Sequence, residues 1–266
     1  MSEAPFGRRE LTVTGIEQLG AYRVLRAADP DGPVAAPGQF AMLAAVERWG
    51  AGESDRPYVP RAFSLARQRD GEAHFLLEDV GPGTRRLCEL RAGDALWALA
   101  PLGRGFTAPR DGRRALLVGG GVGIAPLAIL QDTLVDQVTV LLGFRDASRA
   151  AGAALLSGAR VATDDGSVGH HGFVTELLDA ELRRDPHALV YACGPAPMLE
   201  GVRAMCEARD VPAQLALEAG MACGFGACFG CVVPKRGGGY LRVCVDGPVI
   251  DAAELAHVDV HAGAPA

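Results

Sequence analysis

The sequence predicts a multi-domain β plus α/β chain: a small antiparallel barrel, a parallel sheet with helices on both faces, and a short cysteine-rich module. Three observations predict it. Six short β-compatible runs separated by turn signals fill residues 8 to about 105. Apolar strands then alternate with helical stretches, the pattern of a parallel sheet. Four of the seven cysteines fall between Ala219 and Cys244. A length of 266 residues exceeds one small module and suggests about two domains.

The six runs are Arg9–Ile16, Tyr22–Ala27, Gln39–Ala45, Ala62–Arg67, His74–Val80 and Ala95–Leu99, with a helix-like piece at Thr84–Leu90. Asp29-Pro30-Asp31-Gly32 and Arg69-Asp70-Gly71 mark turns between them. Two spots here suit phosphate and ring chemistry. Arg61-Ala62-Phe63-Ser64 offers a charge, a stacking face and a hydroxyl, although any surface strand could show the same residues. Gly81-Pro82-Gly83-Thr84 leads into the helical piece, where N–H groups and the helix dipole favour a phosphate. An ordinary N-cap by Thr84 would look the same.

Pro109 to Arg114 reads as a linker. Ala115–Val118, Gln137–Phe144, Arg160–Thr163, Ala188–Cys193 and Gln214–Glu218 are then five strands. Helical patterns follow Gly119 as far as Leu134 and cover Ala150–Ser157, Val174–Arg183 and Met198–Arg209. Gly121-x-Gly123-x-x-Pro126 follows a strand and opens a helix, the context that a nucleotide-binding turn requires. Cys193-Gly194-Pro195-Ala196-Pro197-Met198 lies at the carboxyl edge of the same sheet, where such folds bind ligands. As a lone cysteine, Cys193 is also a good small hydrophobe, and Cys88 and Cys206 read as core.

The remaining cysteines are spaced Cys223-x4-Cys228-x2-Cys231, then Cys244 after twelve residues. Three thiols on a glycine-rich loop with a fourth arriving later is the plant-type [2Fe–2S] spacing. Gly224, Gly226 and Gly230 let the loop bend and turn N–H groups toward sulfur. A structural zinc site would also use four thiolates, but it usually brings two separated C-x2-C pairs, and only one is present. A disulfide needs an oxidising compartment, for which nothing in the sequence argues.

Composition narrows the partners. Net charge is −6 with no basic run, which speaks against nucleic acid. The N-terminus has no apolar stretch of signal-peptide length, and no run approaches a membrane span, so a cytoplasmic protein without membrane attachment is expected. The histidines show no metal spacing: His170-His171 is adjacent, and His257 and His261 sit in a polar tail.

Taken together, Arg-x-Phe-Ser, Gly-x-Gly-Thr, Gly-x-Gly-x-x-Pro and Cys-Gly-Pro-x-Pro-Met resemble the ferredoxin–NADP reductase superfamily. GMACGFGACFGCVV with YLRVCVDGPVIDAAEL, and Thr163-Asp164-Asp165-Gly166-Ser167 with Gly172-Phe173-Val174-Thr175, resemble the electron-transfer subunits of class B dihydroorotate dehydrogenase. The similarity runs from about Arg8 to Leu255. It implies an FAD-binding barrel (1–108), an NAD-binding domain (109–216) and a [2Fe–2S] domain (217–266). Arg61, Ala62, Phe63 and Ser64 would hold FAD, Arg61 on its pyrophosphate and Ser64 at its reactive edge. Ala62 stands where the family commonly has proline. Leu76, Leu77 and Glu78 would line the flavin, and Gly83 and Thr84 would meet its phosphates. Gly121, Gly123, Pro126, Cys193 and Gly194 would hold the nicotinamide nucleotide, NAD rather than NADP, since Asp146 follows the second strand. Arg145 and Arg149 nearby would pull toward NADP.

No residue takes a catalytic role beyond the placing of Ser64 and Cys193 beside the reacting rings. Cys223, Cys228, Cys231 and Cys244 would ligate the cluster. The implied partner is an FMN-bearing catalytic subunit that oxidises dihydroorotate, in a two-plus-two heterotetramer serving pyrimidine synthesis. The residues alone imply only some redox partner, such as that of an NADH-dependent ferredoxin:NADP oxidoreductase or a sulfhydrogenase.

Overall fold

A computed structural model describes residues 7–50, 57–134 and 138–258. Gln137 and His261 lie outside the described residues. Strands β1 (Gly7–Leu19), β2 (Tyr22–Ala28), β3 (Phe40–Ala45), β4 (Arg61–Arg69), β5 (Glu72–Glu78) and β6 (Ala95–Leu102) close an antiparallel barrel in the order β1-β2-β5-β4-β3-β6. The period-two signal that betrays these strands is clearest in β6, where alternate residues from Leu96 to Leu102 are buried. Helix α1 (Pro82–Cys88) follows β5 and covers one end of the barrel with Leu87 and Cys88.

The second half is built on β7 (Arg114–Gly120), β8 (Val138–Phe144), β9 (Arg160–Thr163), β11 (Ala188–Cys193) and β12 (Ala213–Ala216), joined by helices α2 (Ala125–Thr133), α3 (Ala147–Ala150), α4 (Val174–Arg184) and α5 (Ala196–Ala208). Every residue of β7 and of β11 is buried, because the sheet is covered on both faces. One core contains α4, α5 and the segment after residue 217. The other contains α2 and reaches Tyr22 and Leu76 of the barrel.

The sheet departs from the five predicted strands at its two edges. Its order is β10-β9-β8-β7-β11-β12-β15, so the five parallel strands are flanked by β10 (His170–His171) and β15 (Val249–Asp251). β15 comes from beyond the cysteines and pairs antiparallel with β12, Leu215 opposite Ile250. β13 (Val232–Pro234) and β14 (Tyr240–Arg242) form a small hairpin between the last two cysteines. The helix predicted at Ala150–Ser157 is also corrected: α3 ends at Ala150 and a 3-10 turn runs over Ala151–Leu155. The reason is tertiary. Gly152 lies against the ring of Tyr22, where a β-carbon would come within 2.9 Å of Cε2.

The cysteine loop is held on two sides. Gly224, at φ +79°, lies directly on Met42 of the barrel, leaving no room for a β-carbon. On the far side Ile250 is 4% exposed within the sheet core. Burial of this kind makes Ile→Ala cost about 2–5 kcal/mol. We therefore expect Ile250→Ala to lower the unfolding temperature by several degrees. Cluster colour should bleach in the same transition as the circular dichroism of the sheet. Loss of colour at a separate, lower temperature would show that the loop does not depend on this edge.

Candidate functional site

A cleft of about 520 Å³ opens where the barrel, the parallel sheet and the segment 217–222 meet. The barrel contributes Arg61, Ala62, Phe63 and Ser64 from the start of β4, with Leu76 beside them. The turn into α1 contributes Gly83 and Thr84, and the sheet contributes Gly123, Pro126 and Cys193. Ten of the residues expected from sequence therefore share one wall-to-wall space. Four do not reach it. Leu77 is fully buried in the barrel core. Glu78 is drawn away by Arg149, at 2.9 Å. Gly121 sits at the edge of the turn, and Gly194 packs behind it against Gly120 and Met198.

Close packing explains the glycines. Arg61 lies across the start of α1, and a β-carbon on Gly83 would fall 2.6 Å from its Nε. Arg61 also donates to the Val59 carbonyl at 2.6 Å, which fixes the guanidinium at the mouth. The Thr84 hydroxyl is engaged in the helix start, accepting from the N–H groups of Val80 and Gly81 at 2.9 and 3.0 Å. Gly123 abuts the end of β11, where a β-carbon would come within 2.6 Å of the Gly194 α-carbon. This brings the nucleotide turn and the Cys193 strand end to the same side of the cleft.

Glu218 is the residue that sequence reading missed. It faces the cleft, open to solvent at the mouth, yet protein packs around its carboxyl and raises its proton affinity by desolvation. Cys193 lies close by, and burial, then the charge of Glu218, push its thiol well above the ordinary range. Cys193 is thus a neutral, buried wall of the cleft. The signal for Glu218 was only its place at the end of the fifth strand, at the carboxyl edge of the sheet.

The four cysteines of the loop stand in two pairs. Cys223 is hydrogen-bonded by Cys228, and Cys231 Sγ accepts from the Cys244 N–H at 3.4 Å. Burial pushes the Cys223 thiol up, but N–H groups of Cys228, Phe225 and Ala227 outweigh it and take the thiol down to about 6. Burial, then the neighbouring Cys231, push Cys244 up to about 12. Among the described residues no three His, Cys, Asp or Glu side chains converge on one metal ion. Two thiol pairs under a canopy of N–H groups fit a cluster of two irons with two ligands each.

Comparison with known proteins agrees with this geometry. Residues 218–256 match the family model for the iron-sulfur cluster binding domain of dihydroorotate dehydrogenase B. The electron transfer subunit of dihydroorotate dehydrogenase B (NAD(+)) from Geobacillus sp. (strain WCH70) is 40% identical over 232 residues, 83% of this chain and 86% of that one. Its counterpart from Geobacillus thermodenitrificans is 36% identical over 265 residues, 94% and 98% of the two chains. The chain belongs to the family of dihydroorotate dehydrogenase B electron transfer subunits. The family's architecture extends to an NADH-dependent reduced ferredoxin-NADP oxidoreductase, similar at a TM-score of 0.78 and 25% identity over 93% of this chain and 90% of that one. A ferredoxin reductase of carbazole 1,9a-dioxygenase shares the fold at a TM-score of 0.65 and 24% identity, covering 77% of this chain and 66% of that one.

The Glu218 environment gives a testable pH dependence. A carboxyl whose folded-state pKa lies above its unfolded value stabilises fully at low pH, and that contribution is lost as pH rises through the folded value. The window therefore opens near pH 4.5 and extends upward. We expect Glu218→Gln to raise the unfolding temperature at pH 8, with the gain shrinking as pH falls toward 5. A gain that stays constant across this range would mean that Glu218 is not desolvated.

Proposed function

We propose that this subunit links a dihydroorotate-oxidising partner to NAD in pyrimidine synthesis, holding FAD in the cleft and a [2Fe–2S] cluster on the cysteine loop. The observation that carries the reading is the meeting of flavin-type barrel residues, a nucleotide turn and the segment 217–222, which leads into the cysteine loop, around one cleft. When bound, the flavin exchanges electron pairs with the nucleotide and single electrons with the cluster. The chain's own part is to bind, orient and exclude water.

Arg61 would meet the FAD pyrophosphate as a charge-assisted donor, and the apolar walls Phe63, Leu76 and Cys193 would shelter the reacting rings. Ser64 would present its hydroxyl at the flavin edge. Gly121, Gly123 and Pro126 would seat the dinucleotide phosphates, with the ring near Cys193 and Gly194. NAD is favoured over NADP because Arg149 is already answered on both sides, by Asp146 at 2.7 Å and Glu78 at 2.9 Å. Cys223 and Cys228 would hold one iron, Cys231 and Cys244 the other. Phe225 and Phe229 are 53% and 61% exposed beside the loop, with the Arg242 guanidinium 5.1 Å from the Phe229 ring centroid. They form the face on which the FMN-bearing catalytic subunit would dock, in a two-plus-two assembly in the cytoplasm. No helix among the described residues is long and apolar enough to cross a membrane.

Five outcomes test the reading. Loss of a charge-assisted hydrogen bond costs about 1.5–3 kcal/mol, so Arg61→Ala should weaken FAD retention roughly tenfold or more, measured as flavin per chain after dialysis. Flavin released by heat should chromatograph as FAD, and recovery of FMN would overturn the assignment. Cys228→Ser should remove the iron signal and leave FAD bound; stoichiometric zinc without iron in the anaerobically purified wild type would contradict the cluster. In rapid mixing, NADH should reduce the flavin in clear preference to NADPH. Dihydroorotate-to-NAD turnover by the catalytic subunit should require this chain, and equal turnover without it would refute the role.

A further inference from the structure

Tyr22 is fully buried at the seam between barrel and sheet, and its hydroxyl finds no hydrogen-bond partner among the described residues. Such groups are uncommon in folded proteins and call for a reason. The ring is clamped from both sides. It stands on β2 opposite Glu78 of β5, and it packs on Gly152 and Ile124 of the second domain. Nothing in this packing needs a hydroxyl.

What the hydroxyl faces is the nucleotide turn. Gly121 has φ +55°, a conformation that L side chains rarely adopt, so residue 121 puts no side chain into the space beside its α-carbon. Apart from the glycine's own chain neighbours, the atom bordering that space is Tyr22 Oη, 3.9 Å from where a β-carbon would stand. Burial above all, then Glu78, keeps the phenol protonated against the opposing charge of Arg149, so it acts as a donor across the working pH range.

We propose that Tyr22 is a positioning residue of the dinucleotide site, its hydroxyl donating to a phosphate seated on the Gly121 turn, directly or through one water. The inference rests on the nucleotide reading given above. It ties the nucleotide to β2 and β5, the strand pair whose Leu76 faces the flavin cleft. The barrel thereby contributes a contact to the ligand of the other domain.

The test is Tyr22→Phe in the FAD- and cluster-loaded protein. The ring packing is retained and the lost hydroxyl has no protein partner, so folding and flavin content should be unchanged. The dissociation constants of NADH and of ADP should rise roughly tenfold or more, the scale of one hydrogen bond to a charged group. Binding of adenosine, which carries no phosphate, should stay as in the wild type. If the NADH and ADP constants remain within about twofold of wild type while the unfolding temperature holds or rises, the hydroxyl serves packing alone and the proposal is overturned. Equal weakening of adenosine and ADP would also overturn it, since the phosphate would then not be the contact. Failure of the wild type itself to bind NADH would instead bring down the nucleotide reading.

Discussion

The contact between the cysteine loop and the barrel wall is the constraint on which the rest depends. Gly224 lies against Met42, and Met42 stands on the same face of β3 as Phe40, which lines the cleft. A cluster held on this loop and a flavin held in the cleft would thus be braced by one strand. The opposite end of the module is anchored by β15, which closes the edge of the parallel sheet beside β12. The segment after residue 217 is therefore a bracket between two domains, gripping the barrel with one end and the sheet with the other.

That bracket also shapes the chemistry of the cleft. Residues 217–222 form its third wall and carry Glu218 to the side of Cys193. The result is a space with apolar walls, one fixed guanidinium at Arg61 and one carboxyl whose ionised form is disfavoured. Such a site shelters electron exchange from water while keeping a proton-binding group within it. Domain contacts hold the other wall in place: Arg67 pairs with Asp132 across the seam at 2.7 Å, and Arg149 joins Asp146 to Glu78.

Much of this was legible in the sequence because the signals are local. The barrel strands show themselves by two-residue alternation and by turns such as Arg69-Asp70-Gly71. The buried strands of the sheet read as continuous apolar runs. The cysteine spacing carries its own geometry, since a bent glycine-rich loop is needed to gather the thiols. What stayed hidden depends on contacts distant in sequence. β10 has two residues and β15 three, too few for any periodicity to register. The Ala150–Ser157 stretch has helical composition, yet Tyr22 of the barrel dictates its path through Gly152. Glu218 reads as an ordinary surface acid, and only the fold sets it on the cleft wall beside Cys193. The pairing of Glu78 with Arg149 of the second domain likewise has no local signal.

One chain thus connects a nicotinamide nucleotide to a two-iron cluster through a flavin in the shared cleft. Anaerobic titration of the isolated subunit with NADH tests it most directly, following flavin absorbance and the electron paramagnetic resonance of the reduced cluster together. NADH should bleach the flavin and the cluster signal should grow with it, whereas Cys228→Ser should lose the cluster signal while its flavin still bleaches. Flavin reduction with no cluster signal in the wild type would contradict the account, because the two sites would then not be connected within the chain.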